Sequence, residues 1–191
     1  MFKKSVQGEF SGIEPGIVPD NYDVKKVTIK LDEIRGASKS DLNFLAACSV
    51  MLDAAINTKQ FYSMVCDPKI KLDHDKGLTK EQIFNKIVSG ATELEPDEDN
   101  EMNIRIVIYY SGWSRVIGYT LPNSPWQWFN RKFMWGSPSS YRTVCANMLH
   151  EYCHRCGFEH ESRGYSQFNI PYFYGNCVEN VIKQAMESGK V

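Results

Sequence analysis

The chain has 191 residues, 42% of them hydrophobic and 24% charged, with a formal net charge of -1. That length suits one domain with a buried core. The neutral balance, without a long basic run, sets nucleic acid aside as a partner, and no apolar stretch is long enough to span a bilayer.

Residues 1–22, rich in Gly and Pro, read as an irregular N-terminal arm. Their opening, MFKKSVQGEF, has lysines but no apolar segment behind them, so it does not read as a signal peptide. A strand is expected over about 24–31, where β-branched residues partly alternate. The stretch from Ser38 to Val65 reads as one long helix. Ser38 or Ser40 would cap it, and Leu42, Leu45, Ser49, Leu52 and Ile56 would form its core-facing stripe. KIKLDHDKG is a polar connector. Thr79 and Gln82 stand at capping-box spacing before a helix with Ile83, Ile87 and Val88, and Gly90 is its stop. ELEPDEDNE reads as a solvated acidic loop.

MNIRIVIYYSGW alternates cleanly and is the clearest strand. RVIGYTL and WQWFNRKFMW follow as two more, joined by the turn PNSP. Ser137 then Pro138 starts a helix running to about 156, with Gly157 ending it. SRGYSQFNIPYFYG reads as irregular, and NCVENVIKQAMESG as a closing helix. Strands with a long helix, then helix, loop and helix, indicate an α+β fold.

Three of the four histidines fall within residues 150–160, HEYCHRCGFEH. His150 and His154 are four apart on a helix, so both imidazoles share one face and can grip one metal ion. Glu151 lies beside that ion, in reach of a metal-bound water whose pKa zinc lowers towards 7. Gly157 allows the sharp turn that returns His160 as a third ligand. Three ligands leave a position open, as in a catalytic zinc site. By average residue usage, a chain of this size meets H-E-x-x-H-x-x-G-x-x-H by accident on the order of once in 10⁵, which disfavours a merely histidine-rich surface helix.

On His150, Glu151, His154, Gly157 and His160 the chain resembles the metzincin zinc metallopeptidases. The resemblance implies an α+β metzincin-like fold: an upper lobe with a twisted mixed β-sheet, a backing helix and the active-site helix, then a small C-terminal lobe ending in a helix. It places the upper lobe over 23–157 and the lower over 158–191 of a single catalytic domain. It implies one catalytic Zn2+ held by His150, His154 and His160, with Glu151 as general base and proton shuttle. It implies a peptide or protein substrate. The clan is often exported.

Metzincins carry a methionine in a turn beneath the metal, and none lies between His160 and Met186. NIPYFYG is the expected substitute turn, with Ile170 as apolar floor. Tyr172 would then match a tyrosine near the zinc in some members. Its phenol either binds zinc or donates to the oxyanion, or it is a packed aromatic.

Three further features need weighing. Cys153 and Cys156 form a C-x-x-C without a second pair or a thioredoxin context, which favours packing, or bridges to Cys145 or Cys177, over redox chemistry. The metzincin resemblance implies an edge strand before the active-site helix that lines the cleft, where extended substrate pairs as an added strand; Trp126, Trp128, Phe129, Phe133 and Trp135 would then be a mixture of subsite walls and core rather than all core, with Asn130 and Arg131 exposed on that edge. His74 reads as a surface histidine. The Asp73–Asp75 pair raises structural Ca2+, but an EF-hand loop from Asp73 would place ligands at Gly77 and Phe84. The leading reading is a zinc-dependent endopeptidase. Its rivals are a zinc-binding structural or recognition module and a zinc hydrolase of a non-protein amide.

Overall fold

A computed structural model describes residues 27–160 and 166–189. The elements are β1 (Thr28–Arg35), α1 (Lys39–Ile56), α2 (Lys59–Val65), α3 (Lys80–Val88), β2 (Glu101–Tyr109), β3 (Gly118–Thr120), β4 (Trp126–Asn130), α4 (Pro138–Arg155) and α5 (Ile170–Glu187), with one 3-10 turn at Arg131–Phe133. The expected arm over 1–22 lies outside the described residues.

The alternation in β2 sorts its side chains as the sequence implies. Met102, Ile104, Ile106 and Ile108 are buried, and the residues between them are half-buried. One sheet face therefore carries the core, and the helices cover it. β1 pairs with β2 in parallel, which requires the long crossover supplied by α1 to α3. β2 also pairs in parallel with β4, while β3 runs antiparallel to β4. The sheet order is β1-β2-β4-β3.

This order corrects one expectation. β4 is interior, and the edge beside α4 is β3. Asn130, expected on the edge, is buried, and its side chain ties Ser111 at both N–H and C=O. Arg131 pairs with buried Asp41 rather than reaching solvent freely.

The long helix expected over residues 38–65 is two. The Asn57 carboxamide turns away to bind Val27 N–H at 2.9 Å and Val27 C=O at 2.8 Å, and Thr58 caps a new helix by accepting from Phe61 N–H at 3.0 Å. Ser38, not Ser40, caps α1, in a full capping box with Asp41. The buried stripe of α1 is Phe44, Leu45, Cys48, Leu52, Ala55 and Ile56, while Leu42 is 43% exposed. The stripe is rotated because α1 faces both the sheet and α4. α3 begins at its Thr79–Gln82 capping box and buries Ile83, Ile87 and Val88 as the pattern implies.

α5 starts earlier than expected. Asn169 is its N-cap, so NIPYFYG forms the first turns of a helix rather than a free turn. Pro171 is tolerated because the first turn needs no donor there. Phe173 and Tyr174 are fully buried. α5 packs along α4, and Gly175 sets how closely: a Cβ there would come within 2.8 Å of the Ala146 carbonyl oxygen. A twisted mixed sheet backed by helices, closed by a C-terminal helix, is the upper- and lower-lobe architecture anticipated from the motif.

Candidate metal centre

Helix α4 carries the first two histidines. Its start follows from Ser137, whose side chain accepts from Ser140 N–H, and from Pro138 in the first turn. Its end is a Schellman closure: Phe158 N–H donates to Cys153 C=O at 3.0 Å and Gly157 N–H to His154 C=O at 2.9 Å. That closure requires the positive φ of Gly157, +83°. The chain reverses there, and His160 comes back against the helix face that bears His150 and His154.

The three imidazoles converge. His150 Nε2 is 3.3 Å from His154 Nε2 and 3.3 Å from His160 Nε2. One donor atom from each histidine lies within 4.8 Å of the others. A tetrahedral zinc with Zn–N of about 2.0–2.1 Å sets its nitrogens roughly 3.3–3.4 Å apart, so the residues present fit the ion. The outer nitrogen of His154 agrees. His154 Nδ1 is 2.8 Å from the Phe158 carbonyl oxygen, which can only accept, and the Pro171 backbone lies near the His150 ring. The His154 ring therefore carries its proton on the outward Nδ1 and turns a bare Nε2 lone pair to the shared centre. Lone pairs facing at that distance repel unless a cation lies among them.

Burial, then the neighbouring imidazoles His154 and His160, holds His150 well below the usual histidine range. Burial, then His160, pushes His154 down to about 4. Both imidazoles are neutral at physiological pH, the form in which histidine binds a metal. Glu151, one residue after the first histidine, is 3% exposed, and burial pushes its carboxyl up to about 7. That value suits a group that takes and returns a proton near neutrality.

Tyr172, on the first turn of α5, belongs to the same cluster. Its ring centroid is 4.5 Å from that of His150 and 4.7 Å from that of His160. Gly175, a turn later, faces His150: a Cβ there would lie 3.6 Å from His150 Cβ. The floor beneath the histidines is thus a helix. Ile170 is buried in the core cluster.

Other sequence candidates fall elsewhere. All six cysteines are free thiols, and Cys153 and Cys156 are buried on α4. Burial pushes Cys156 up to about 12 and Cys153 well above its ordinary value, so neither is a thiolate. Asp73 accepts from the Ser166 hydroxyl at 2.6 Å, and Asp75 from Gly77 N–H at 2.9 Å. Among the described residues, the grouped metal-ligating side chains are the three histidines, and the aspartates form no calcium cluster. The acidic loop is not merely solvated. Glu95 pairs with Arg155 and Arg105, and Arg155 has a side chain only 2% exposed.

His74 is exposed as expected, yet the fold carries it to the centre's flank. With Lys76, Glu159 and His160 it lines a cavity of about 460 Å³. The backbone tie of Asp73 to Phe168 and Asn169 places it there. His74 and Lys76 both adopt left-handed φ, +59° and +56°, which few non-glycine residues do. No periodicity marks such a residue, although the D-H-D-K-G turn composition was a faint signal.

No protein-family model, no curated protein and no solved structure matches the chain. The likeness therefore rests on the chain's own features. The His150-Glu151-His154-Gly157-His160 spacing, the convergent imidazoles and the mixed sheet backed by helices are those of a divergent metzincin-like zinc peptidase.

Proposed function

We propose that the chain is a single-domain zinc-dependent endopeptidase in which His150, His154 and His160 hold the metal and Glu151 is the general base. The observation that carries this reading is the 3.3 Å convergence of imidazole nitrogens beside a carboxyl that burial raises to about 7. Zinc, when bound, supplies a polarised scissile carbonyl and a water of lowered pKa. Glu151 takes the water's proton on its carboxylate and hands it to the leaving amine nitrogen. The His154–Phe158 bond keeps that ligand ring from turning. Tyr172, whose ring packs against His150 and His160, would donate a hydrogen bond from its phenol to the developing oxyanion.

The substrate class is peptide or protein. Among the described residues no helix is long and apolar enough to cross a membrane. Elemental analysis of protein purified without chelator, paired with a peptide-library digest, tests the reading. One zinc per chain with cleavage abolished by chelation is expected. Stoichiometric zinc with no peptide cut would leave a binding module, or a hydrolase of another amide. A site that stays empty on adding zinc would sink the metal centre itself.

A further inference from the structure

Asn147 stands one helical turn before Glu151 on α4, on the same face. Its amide donates to Glu151 Oε1 at 3.3 Å. What keeps Asn147 there comes from the sheet. Edge strand β3 passes α4, and Gly118 meets the Asn147 side chain. A Cβ at Gly118 would lie 2.6 Å from Asn147 Nδ2 and 2.7 Å from the Trp128 carbonyl oxygen. Only a hydrogen leaves room for the carboxamide. Two residues on, the Thr120 hydroxyl donates to the Glu151 backbone carbonyl at 3.5 Å, which brings Thr120 alongside the Glu151 carboxyl.

The Glu151 side chain has several rotors, and holding it in one pose costs conformational entropy. Donors reach Glu151 from two elements at once, Asn147 of its own helix at the carboxylate and Thr120 of the edge strand at the backbone carbonyl. A base must meet the proton it abstracts within hydrogen-bond distance, so its aim is as much a requirement as its basicity. Neither donor touches the three histidine nitrogens in any contact described above.

We propose that Asn147, wedged between Gly118 and Glu151, is a positioning residue that aims the Glu151 carboxylate. The kinetic consequence rests on the peptidase reading. The geometric consequence does not. Asn147→Leu keeps the bulk against Gly118 and removes the donor. Asn147→Asp keeps the shape and replaces the donor with a like charge. For both, kcat should fall about 10- to 100-fold, the scale of a misplaced catalytic group. KM should stay within about twofold, and zinc content should equal that of the wild type. A packing role would leave kcat intact in Asn147→Asp, which preserves volume.

Crystal structures of the metal-free wild type and of either variant that folds read the geometry without zinc or substrate. The Glu151 carboxylate should sit against Asn147 in the wild type and swing to another rotamer in the variant. An unmoved carboxylate together with unchanged kcat overturns the proposal. A wild type that cuts no peptide would count against the peptidase reading, and the crystallographic comparison alone would then decide this one: an unmoved carboxylate overturns it, a displaced one sustains it.

Discussion

Gly175 of α5 lies directly against His150 of α4. A Cβ built on the glycine would come within 3.6 Å of His150 Cβ and 2.8 Å of the Ala146 carbonyl oxygen. The closing helix thus approaches the first metal ligand at backbone distance. Gly175→Ala should force the two helices apart and cost about 1–3 kcal/mol, the scale of overpacking a tight contact. Chemical denaturation measures that loss. Chelator competition should show weaker zinc binding as His150 shifts. Wild-type values in both would mean that the contact takes up the methyl group without forcing the helices apart.

Glu151→Gln should retain zinc and fold but lose roughly 10²-fold or more in kcat, because an amide cannot accept the water's proton. Steady-state kinetics beside elemental analysis checks this. Near wild-type turnover would assign the base to another group.

Tyr172→Phe separates two roles for a ring that packs on His150 and His160. If the phenol supports the oxyanion, kcat falls more than KM rises, because that contact forms mainly in the transition state. Loss of the ring, as in Tyr172→Ala, should also loosen the ligands and weaken zinc binding. Equal kinetics for the wild type and Tyr172→Phe would leave the residue as packing alone.

Acid should destabilise the metal-free protein. Burial lowers His154 from an ordinary 6.5 to about 4, and His150 shifts the same way. The unfolded chain therefore binds protons first as pH falls. The stability of the neutral imidazoles is whole above about 6.5 and is lost on descending towards 4. Glu151 has the opposite sign. Raised from 4.5 to about 7, its contribution is whole below 4.5 and lost as pH rises through 7. Two histidines against one carboxyl leave a net loss on acidification. Thermal melts between pH 7.5 and about 4.5 should show a falling Tm, and Glu151→Gln should steepen the fall. A flat profile in both proteins would contradict the assignment.

Arg155 follows His154 and buries its guanidinium between the Asn103 carbonyl and Glu95. Glu95→Ala would leave that charge without its carboxylate, at a cost of about 3–5 kcal/mol. Because Glu93 N–H also binds the Arg155 carbonyl at 3.0 Å, loosening this loop should carry into the Gly157 turn and lower zinc affinity. Urea unfolding and chelator competition on one variant test both effects. A change below about 1 kcal/mol would place the pair with surface bridges.

The sequence by itself determined what depends on neighbours along the chain. The four-residue step from His150 to His154, the Ser137–Pro138 start, the Gly157 closure and the return to His160 are all set within one helix and one turn. So are the Thr79–Gln82 box and the alternation of β2. Tertiary structure alone decided what depends on hydrogen bonds and contacts between distant segments. Asn57 breaks the long helix because Val27 lies beside it, 30 residues away. β3 becomes the edge because β4 pairs with β2, and strand order is a non-local choice that period-2 alternation cannot express. Gly118 closes on Asn147, Thr120 reaches Glu151, Gly175 meets His150, and His74 reaches the flank of His160, all across elements that packing brings together. A local pattern can place imidazoles on one face of a helix and Asn147 one turn from Glu151, but the walls that pack against them come from distant segments, which only the folded chain supplies.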